Sequence, residues 1–261
     1  MDDIDVPRCV PGAAEQILDT LRALGFVWDG EVVYQSRRTD AYRAAFERLT
    51  EAGCIFPCAC TRRQLASSGG TTIDGGQLYD GRCRDSLPPG EPPRAWRLRV
   101  PAAEIAFDDA IQGMLSQQLQ RDVGDFVVLR ADGLFAYQLA VVVDDGEQGI
   151  SHIVRGADLV DSTPRQVLLQ QLLGLPTPWY AHLPVAIDGA GQKLSKQTLA
   201  TPIDVKQPLT TMMAAWSFLG QSWQQGHEPD SLEAFWPEAI RQWQIKRVPN
   251  QRQLSAPDYS R

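Results

Sequence analysis

Short strand-like segments alternate with longer helix-like segments along much of this chain, and that order limits the architectures open to it. Apolar residues recur with helical spacing in residues 11–24, 39–52, 163–173 and from 208 onward. Strand-like patterns occupy residues 96–100, 126–130, 150–154 and 185–187. A run at 134–143 is almost wholly apolar and is predicted to be buried, as a strand or as a helix. The alternation favours an α/β domain with a mostly parallel sheet.

The start of the sequence, Met1 to Asp5, is acidic and lacks the basic and apolar regions of a signal peptide. No apolar run reaches the length that a bilayer-spanning helix needs. With 43% hydrophobic and 22% charged residues, the composition is that of an ordinary soluble globular protein. We therefore expect a cytoplasmic monomer that does not associate with membranes.

The net charge of −7 gives no general sign of nucleic-acid binding, although RNA can be bound by a local basic patch. Four arginines lie close together in the sequence, at positions Arg37, Arg38, Arg43 and Arg48. Because acidic residues lie among them, a solvated helix face is the favoured interpretation, and an RNA-binding patch is the alternative.

Residues 54–93 contain four of the five cysteines and show little apolar periodicity. An odd number of cysteines without an export signal argues against a disulfide framework. Three thiolates, Cys58, Cys60 and Cys83, would complete a tetrahedral zinc site together with one oxygen donor. Cys54 is an alternative fourth ligand. Otherwise these cysteines are small buried apolar side chains.

A glycine-rich loop at 188–191 leads into the string Lys193-Leu194-Ser195-Lys196-Gln197. Two lysines three residues apart on a loop suit a polyanion whose negative charge grows during a reaction, such as a triphosphate that releases pyrophosphate. A solvated basic turn is the alternative, because the string is a weak signal by itself.

Tyr137 lies inside the apolar run, and a buried phenol needs a hydrogen-bond partner. Arg155 follows the predicted strand at 150–154, and a guanidinium group is well suited to binding a carboxylate. Taken one at a time, a structural tyrosine and a surface arginine are the simpler interpretations.

Together these motifs resemble the glutamyl-type class I aminoacyl-tRNA synthetases. Residues 1–8 are similar to the segment after that family's first helix. The string around Tyr137 and residues 154–159 are similar to its amino-acid pocket, and residues 193–197 are similar to its KMSKS loop. The motifs come in the family's order and spacing. The resemblance implies a Rossmann-like class I catalytic domain.

Two features resemble the glutamyl-Q tRNA(Asp) synthetases within that family. Their zinc site includes a tyrosine, as the pattern of Cys58, Cys60, Tyr79 and Cys83 would. Only residues 198–261 follow the KMSKS-like loop, whereas a full glutamyl-tRNA synthetase continues into a large anticodon-binding part. The implied division is a partial nucleotide-fold domain (1–53), a zinc-binding insertion (54–93), the remaining catalytic domain (94–207) and a helical tail (208–261).

The resemblance implies tRNA-independent activation of L-glutamate with ATP and Mg²⁺. The glutamyl group would then go to queuosine in the anticodon of tRNA(Asp). By motif, Asp2 would bind the substrate amino group, and Tyr137 and Arg155 would bind glutamate. Lys196 would bind ATP and act in catalysis together with Lys193. One structural zinc ion would be held by Cys58, Cys60, Tyr79 and Cys83.

The sequence departs from the family at its start, where the family has a strand and a helix that carries the HIGH motif. The three histidines of this chain, His152, His182 and His227, lie far downstream in other contexts. We therefore expect an N-terminally incomplete catalytic domain, weakly active until that segment is restored. The alternatives are a catalytic fragment of a glutamyl-tRNA synthetase and a non-catalytic, zinc-stabilised RNA-binding module.

Overall fold

The computed structural model describes residues 1–67, 70–195 and 200–256. Lys196 and Gln197 of the KMSKS-like string lie outside these ranges. The helices within them are α1 (Ala13–Ala23), α2 (Thr39–Glu51), α3 (Arg62–Ala66), α4 (Leu119–Asp122), α5 (Tyr137–Glu147), α6 (Thr163–Leu173), α7 (Pro208–Phe218) and α8 (Leu232–Gln242). The strands are β1 (Ile55–Cys58), β2 (Ala95–Leu98), β3 (Glu104–Asp109), β4 (Gly113–Gln118), β5 (Val127–Leu129), β6 (His152–Gly156), β7 (Trp179–Leu183), β8 (Val185–Ile187) and β9 (Gln253–Ser255).

The central sheet has four strands in the order β4-β3-β7-β6. Strands β3, β7 and β6 are parallel, and Arg155 on β6 lies opposite His182 on β7. Strand β4 is antiparallel to β3 because only residues 110–112 connect the two, and a parallel connection needs a crossover of about a dozen residues. Gly113, with a φ of 79°, completes this tight turn.

A second sheet joins β1, β2 and β5 in an entirely antiparallel arrangement. A third pairs β8 with β9 in parallel, so the end of the tail returns to the strand before the KMSKS-like string. The expectation of a mostly parallel sheet is therefore wrong, since the α/β fold contains mixed sheets. The hairpin at β3 and β4 and the strand β9 in the mainly helical tail were not predicted.

The apolar run at 134–143 is buried, as predicted, and it forms most of helix α5. A turn at Gly133, with a φ of 80°, reverses the chain after β5, and the helix then begins at Tyr137. Its inward face packs into the main core, which includes the fully buried Leu139, Leu98 and Leu169. Because successive turns of α5 bury apolar side chains, the polar residues of the helix at 137 and 145 are placed at the edge of this core.

A smaller apolar cluster joins α1 to α7 and α8 through Leu24, Met212, Trp216, Phe235 and Ala239. The indole N–H of Trp236 donates to the carbonyl oxygen of Leu24 at 3.0 Å. In this tail Trp216 and Phe235 are buried, whereas Trp243 is 40% exposed. Within the part of the chain that the structure describes, no helix combines the length and apolar character that a membrane crossing requires.

Candidate functional site

The three residues predicted to bind glutamate come from separate parts of the chain. Tyr137 is the first residue of α5, Arg155 lies on β6, and Asp2 lies in the N-terminal segment. Burial raises the pKa of Tyr137, the charge of Arg155 opposes that rise, and Asp2 adds to it. These influences on Tyr137 require Arg155 and Asp2 to lie near it. The structure thus brings the three residues into one region at the edge of the main core.

Arg155 is half-buried, and its guanidinium group is fixed along one edge. Its Nε–H donates to His182 Nε2 at 3.0 Å. Its Nη2 donates to Thr163 Oγ1 at 2.9 Å and to Gln166 Oε1 at 2.7 Å. The Tyr180 ring lies 5.5 Å from the guanidinium carbon. Arg155 is therefore more than a surface arginine, because its orientation is set by buried partners from β7 and α6.

Behind Arg155 lies a buried carboxylate that the sequence did not single out. Asp109, the last residue of β3, is 2% exposed, and its Oδ2 lies 2.6 Å from His182 Nδ1. Burial alone would raise its pKa, but hydrogen bonds from the His182 ring and from backbone N–H groups lower the pKa to about 2. Asp109 is therefore ionised at neutral pH. No sequence pattern indicated Asp109, because strand β3 and the tight turn after it were not predicted.

Asp145 on α5 is a further acidic residue that sequence reasoning missed. Burial raises its pKa to about 6, with smaller contributions from Asp144 and Asp2, and Arg155 opposes the rise. The adjacent Asp144 differs, because it accepts hydrogen bonds from Tyr42, Gln35 and Arg38. Asp145 has no comparable set of donors among the described residues. Within the part of the chain that the structure describes, Asp145 therefore adds a carboxyl group that lacks side-chain hydrogen-bond donors to the region around Tyr137 and Arg155.

The described part of the KMSKS-like string lies beside the segment that follows Arg155. Lys193 Nζ lies 2.5 Å from Asp158 Oδ2, and residue 193 also bridges to Ile187 at the end of β8. An ion pair therefore connects this loop to the segment that directly follows β6, the strand that carries Arg155. Lys196, the other predicted catalytic lysine, lies outside the described residues.

The predicted metal ligands form a compact cluster. The Sγ atoms of Cys58, Cys60 and Cys83 all lie within 4.8 Å of one another, and those of Cys60 and Cys83 are 3.6 Å apart. In a tetrahedral site with Zn–S bonds of about 2.3 Å, sulfur atoms lie about 3.8 Å apart. The spacing therefore suits a zinc ion, and these three residues could hold one.

Tyr79 also lies at this cluster, where its Oη accepts a hydrogen bond of 2.7 Å from the Cys83 backbone N–H. Burial raises its pKa well above the ordinary value; the Cys83 backbone bond opposes the rise, and the Cys83 and Cys58 side chains add to it. Arg97 donates to Cys58 Sγ at 3.4 Å and stacks 4.2 Å from the Tyr79 ring. A guanidinium group in this position would balance the excess negative charge of three thiolates around a divalent ion.

The structure separates other predicted candidates from these sites. Cys54, the alternative fourth ligand, packs against the main core instead of joining the cysteine cluster. In the arginine group at 37–48, Arg38 pairs with Asp144 and Glu147, and Arg48 donates to the Leu173 carbonyl oxygen. Arg37 stacks over Tyr34. Three of the four arginines therefore make contacts within the protein, whereas a solvated helix face was the favoured prediction.

Comparisons with known proteins agree with this geometry. The family described as "tRNA synthetases class I (E and Q), catalytic domain" matches residues 1–220. A "Glutamyl-Q tRNA(Asp) synthetase" of Aromatoleum aromaticum is 55% identical over 98% of this chain and 81% of its own length. Proteins of the same name in Dechloromonas aromatica (52% identical, 98% and 86%) and Neisseria meningitidis serogroup C (49%, 95% and 84%) are also similar.

The glutamate-tRNA synthetase structure from Elizabethkingia anophelis matches 98% of this chain with a TM-score of 0.76 and 24% identity. This chain spans 60% of the length of that protein. At this identity the likeness shows the fold, which is that of a class I synthetase catalytic domain with mixed sheets.

Proposed function

The chain belongs to the glutamyl- and glutaminyl-type class I tRNA synthetases and, within them, to the glutamyl-Q tRNA(Asp) synthetases; we propose that it glutamylates queuosine in the anticodon of tRNA(Asp). It first activates L-glutamate with ATP, without needing tRNA for that step. The observation that carries this proposal is the fixed guanidinium group of Arg155 beside Tyr137, in a chain whose relatives have that name. The protein acts as a monomer in the cytoplasm.

Recognition of glutamate requires partners for two carboxylates and one ammonium group. Arg155 binds the side-chain carboxylate, because the reacting carboxylate must stay free to attack ATP. Tyr137 contributes to the same pocket through its ring and hydroxyl group. Asp2 binds the ammonium group, and Asp145 adds negative charge nearby.

Activation joins an oxygen of the free carboxylate to the α-phosphorus of ATP. The bond from that phosphorus to the oxygen bridging to the β-phosphate breaks, and pyrophosphate leaves with its electron pair. Lys196 and Lys193 stabilise the charge that develops on pyrophosphate, and Mg²⁺ neutralises part of the triphosphate charge when bound. A nucleophilic group of queuosine then attacks the glutamyl carbonyl carbon, and AMP leaves.

We also propose that Cys58, Cys60, Cys83 and Tyr79 hold one structural zinc ion. The support is the tetrahedral spacing of the sulfur atoms and the position of the Tyr79 hydroxyl beside them. Zinc favours the deprotonated form of each ligand, which offsets the effect of burial on Cys60 and Tyr79. The ion would fix residues 54–93, where the apolar core is small.

The test is glutamate-dependent exchange of pyrophosphate into ATP, followed by transfer of labelled glutamate to tRNA. We expect exchange without tRNA, and label in tRNA(Asp) that contains queuosine but not in tRNA(Asp) without it. Label at the 3′ end of tRNA(Glu) would favour a glutamyl-tRNA synthetase fragment. RNA binding with no exchange, from this chain and from the product of the whole open reading frame, would favour the non-catalytic module.

The role of Arg155 is tested in the same assay by the substitution Arg155→Ala. We expect the KM for glutamate to rise roughly ten- to a hundredfold, because a charged hydrogen-bond partner of the ground-state substrate is lost. The KM for ATP should change little. A variant in which only the ATP constant changes would contradict the assignment of Arg155 to the glutamate carboxylate.

A further inference from the structure

Three polar side chains lie in a row across the central sheet, one from each of its adjacent parallel strands. Asp109 comes from the end of β3, His182 from β7 and Arg155 from β6. His182 and Arg155 are direct partners in the β6–β7 register. Asp109 and His182 are almost completely buried, and only Arg155 reaches the pocket region. Burying three polar side chains costs free energy unless each of them makes a hydrogen bond to the next.

The two oxygen atoms of Asp109 have different partners. Oδ1 accepts backbone N–H groups from Ile111 at 3.0 Å, Gln112 at 2.8 Å and His182 at 3.2 Å. Oδ2 lies 2.6 Å from His182 Nδ1. A carboxylate can only accept, so the Nδ1 atom must carry the proton of this hydrogen bond. Nε2 of a neutral His182 is then left with a lone pair.

That lone pair faces the Nε–H group of Arg155 at 3.0 Å. Every polar hydrogen of a guanidinium group is a donor, so Arg155 can bond to His182 only if Nε2 accepts. The opposite tautomer would place two N–H groups against each other. On the same edge of the guanidinium group, Nη2 donates hydrogen bonds to Thr163 and Gln166 of α6.

These contacts use Nε and Nη2 and leave Nη1 as the donor for substrate. Within the described ranges, Nη1 makes no hydrogen bond to the protein. From this geometry we infer that Asp109 and His182 are positioning residues that fix the orientation of Arg155 toward the substrate carboxylate and so help to determine selection of glutamate. The inference rests on the proposed function only in taking that carboxylate as the ligand of Arg155.

The substitution Asp109→Asn tests the tautomer without removing the side chain. The three backbone N–H groups hold the amide oxygen at the Oδ1 position, so the amide N–H₂ group faces His182 Nδ1. His182 should then carry its proton on Nε2, against Arg155. We expect the KM for glutamate to rise roughly tenfold or more, with a much smaller change in kcat and in the KM for ATP.

Two further variants distinguish positioning from general stability. Asp125→Asn is the matched control, because Asp125 is a similarly buried aspartate, 5% exposed, that also accepts a backbone N–H group, from Val100 at 2.8 Å. It should leave the glutamate KM unchanged. His182→Gln can both donate to Asp109 and accept from Arg155, so it should retain more glutamate affinity than His182→Leu.

Nitrogen NMR of the histidine side chains, assigned by loss of the His182 signals in the glutamine variant, reads the tautomer directly. We expect a proton on Nδ1 in the native protein and on Nε2 in Asp109→Asn. Native His182 with its proton on Nε2, or an unchanged glutamate KM despite the altered tautomer, would overturn the inference. This tautomer without glutamate-dependent exchange, both in this chain and in the product of the whole open reading frame, would instead overturn the proposed function and, with it, the substrate role of this row.

Discussion

The Arg155 site and the cysteine cluster fix their polar groups in different ways. Arg155 is oriented by neighbours on the central sheet and α6, whose side chains belong to or lie beside the main apolar core. Among the residues that the structure describes, the core of the cysteine cluster consists of Phe56, Cys58, Ala59, Tyr79 and Cys83, with three half-buried side chains packed on it.

Strand β1 pairs with β2, and ion pairs add further attachments between residues 54–93 and the rest of the protein. Asp74 pairs with Arg165 on α6 at 2.6 Å, and Arg84 pairs with the buried Asp125. A large core can hold a charge in place without a metal ion. A segment with so little apolar surface needs another source of folding free energy, and coordination of zinc can supply it.

The largest effect should follow from loss of the metal. The double substitution Cys58→Ser/Cys60→Ser should abolish zinc binding and unfold residues 54–93, because coordination can contribute about 10 kcal/mol or more to a small metal-dependent unit. Metal analysis should give one zinc ion per native chain and none in the variant, and limited proteolysis should cut within 54–93.

The cysteines outside the cluster provide the control for that experiment. Cys54→Ser and Cys9→Ser should retain zinc, because neither side chain lies with Cys58, Cys60 and Cys83. A native protein without zinc, or full retention of zinc in the double variant, would show that the cysteine cluster is stabilised by its small core alone.

A second test asks which region carries the chemistry of activation. Lys196→Ala should lower the rate of adenylate formation roughly a hundred- to a thousandfold, because a contact to the departing pyrophosphate is strongest in the transition state. The KM for glutamate should change little, in contrast to Arg155→Ala. Pyrophosphate exchange at varied glutamate concentrations measures the KM for glutamate, and single-turnover kinetics measure the rate of adenylate formation. A change confined to glutamate binding would remove Lys196 from the proposed catalytic role.

Asp145 gives a test of intermediate size, because its folded-state pKa is about 6 and the ordinary value is 3.8. A raised carboxyl pKa means that stability is fully present below about pH 4 and is lost as the pH rises through 6. An asparagine side chain does not ionise, so the Asp145→Asn variant does not lose stability in this pH range. The variant should therefore be more stable than the native protein at pH 7.5, by up to about 3 kcal/mol.

Denaturant unfolding at pH 7.5 and at pH 4.5 measures this difference, which should be smaller at the lower pH. The same variant should bind glutamate more weakly, since it loses negative charge near the substrate ammonium group. Equal stabilisation at both pH values would show that the effect comes from packing and not from the charge of Asp145.

The sequence was informative where a pattern is local. Helical spacing predicted α1, α2 and α6, and the strand-like segments at 126–130 and 185–187 correspond to β5 and β8. The positions of Cys58, Cys60 and Cys83 predicted their cluster, because the three thiols share one unusual segment.

The row of Asp109, His182 and Arg155 could not be predicted in the same way. Its members are separated by 27 or more residues and become neighbours only when β6 and β7 pair in one particular register. Asp145 was missed for a related reason: its burial depends on how α5 packs, whereas the sequence shows only two adjacent aspartates. The hairpin of β3 and β4 has weak alternation, and β9 is a three-residue strand that forms by pairing with β8.

The smallest effect tests whether the cysteine cluster also depends on a positioning residue, as Arg155 is proposed to depend on His182. Arg97 reaches Cys58 Sγ at 3.4 Å and lies over the Tyr79 ring. Arg97→Met should weaken zinc binding roughly ten- to a hundredfold without unfolding the segment, because a group that supports metal ligands is lost while the ligands remain. Arg97→Lys should weaken it less, since the positive charge is retained.

Arg99→Met is the matched control, because Arg99 stacks on Phe56 and donates to the Arg84 carbonyl oxygen instead of a sulfur atom. Competition with a chromophoric chelator measures the affinities. If Arg97→Met and Arg99→Met have equal effects, the cysteine cluster depends on its ligands and its small core alone, and the difference between the two regions is larger than we infer.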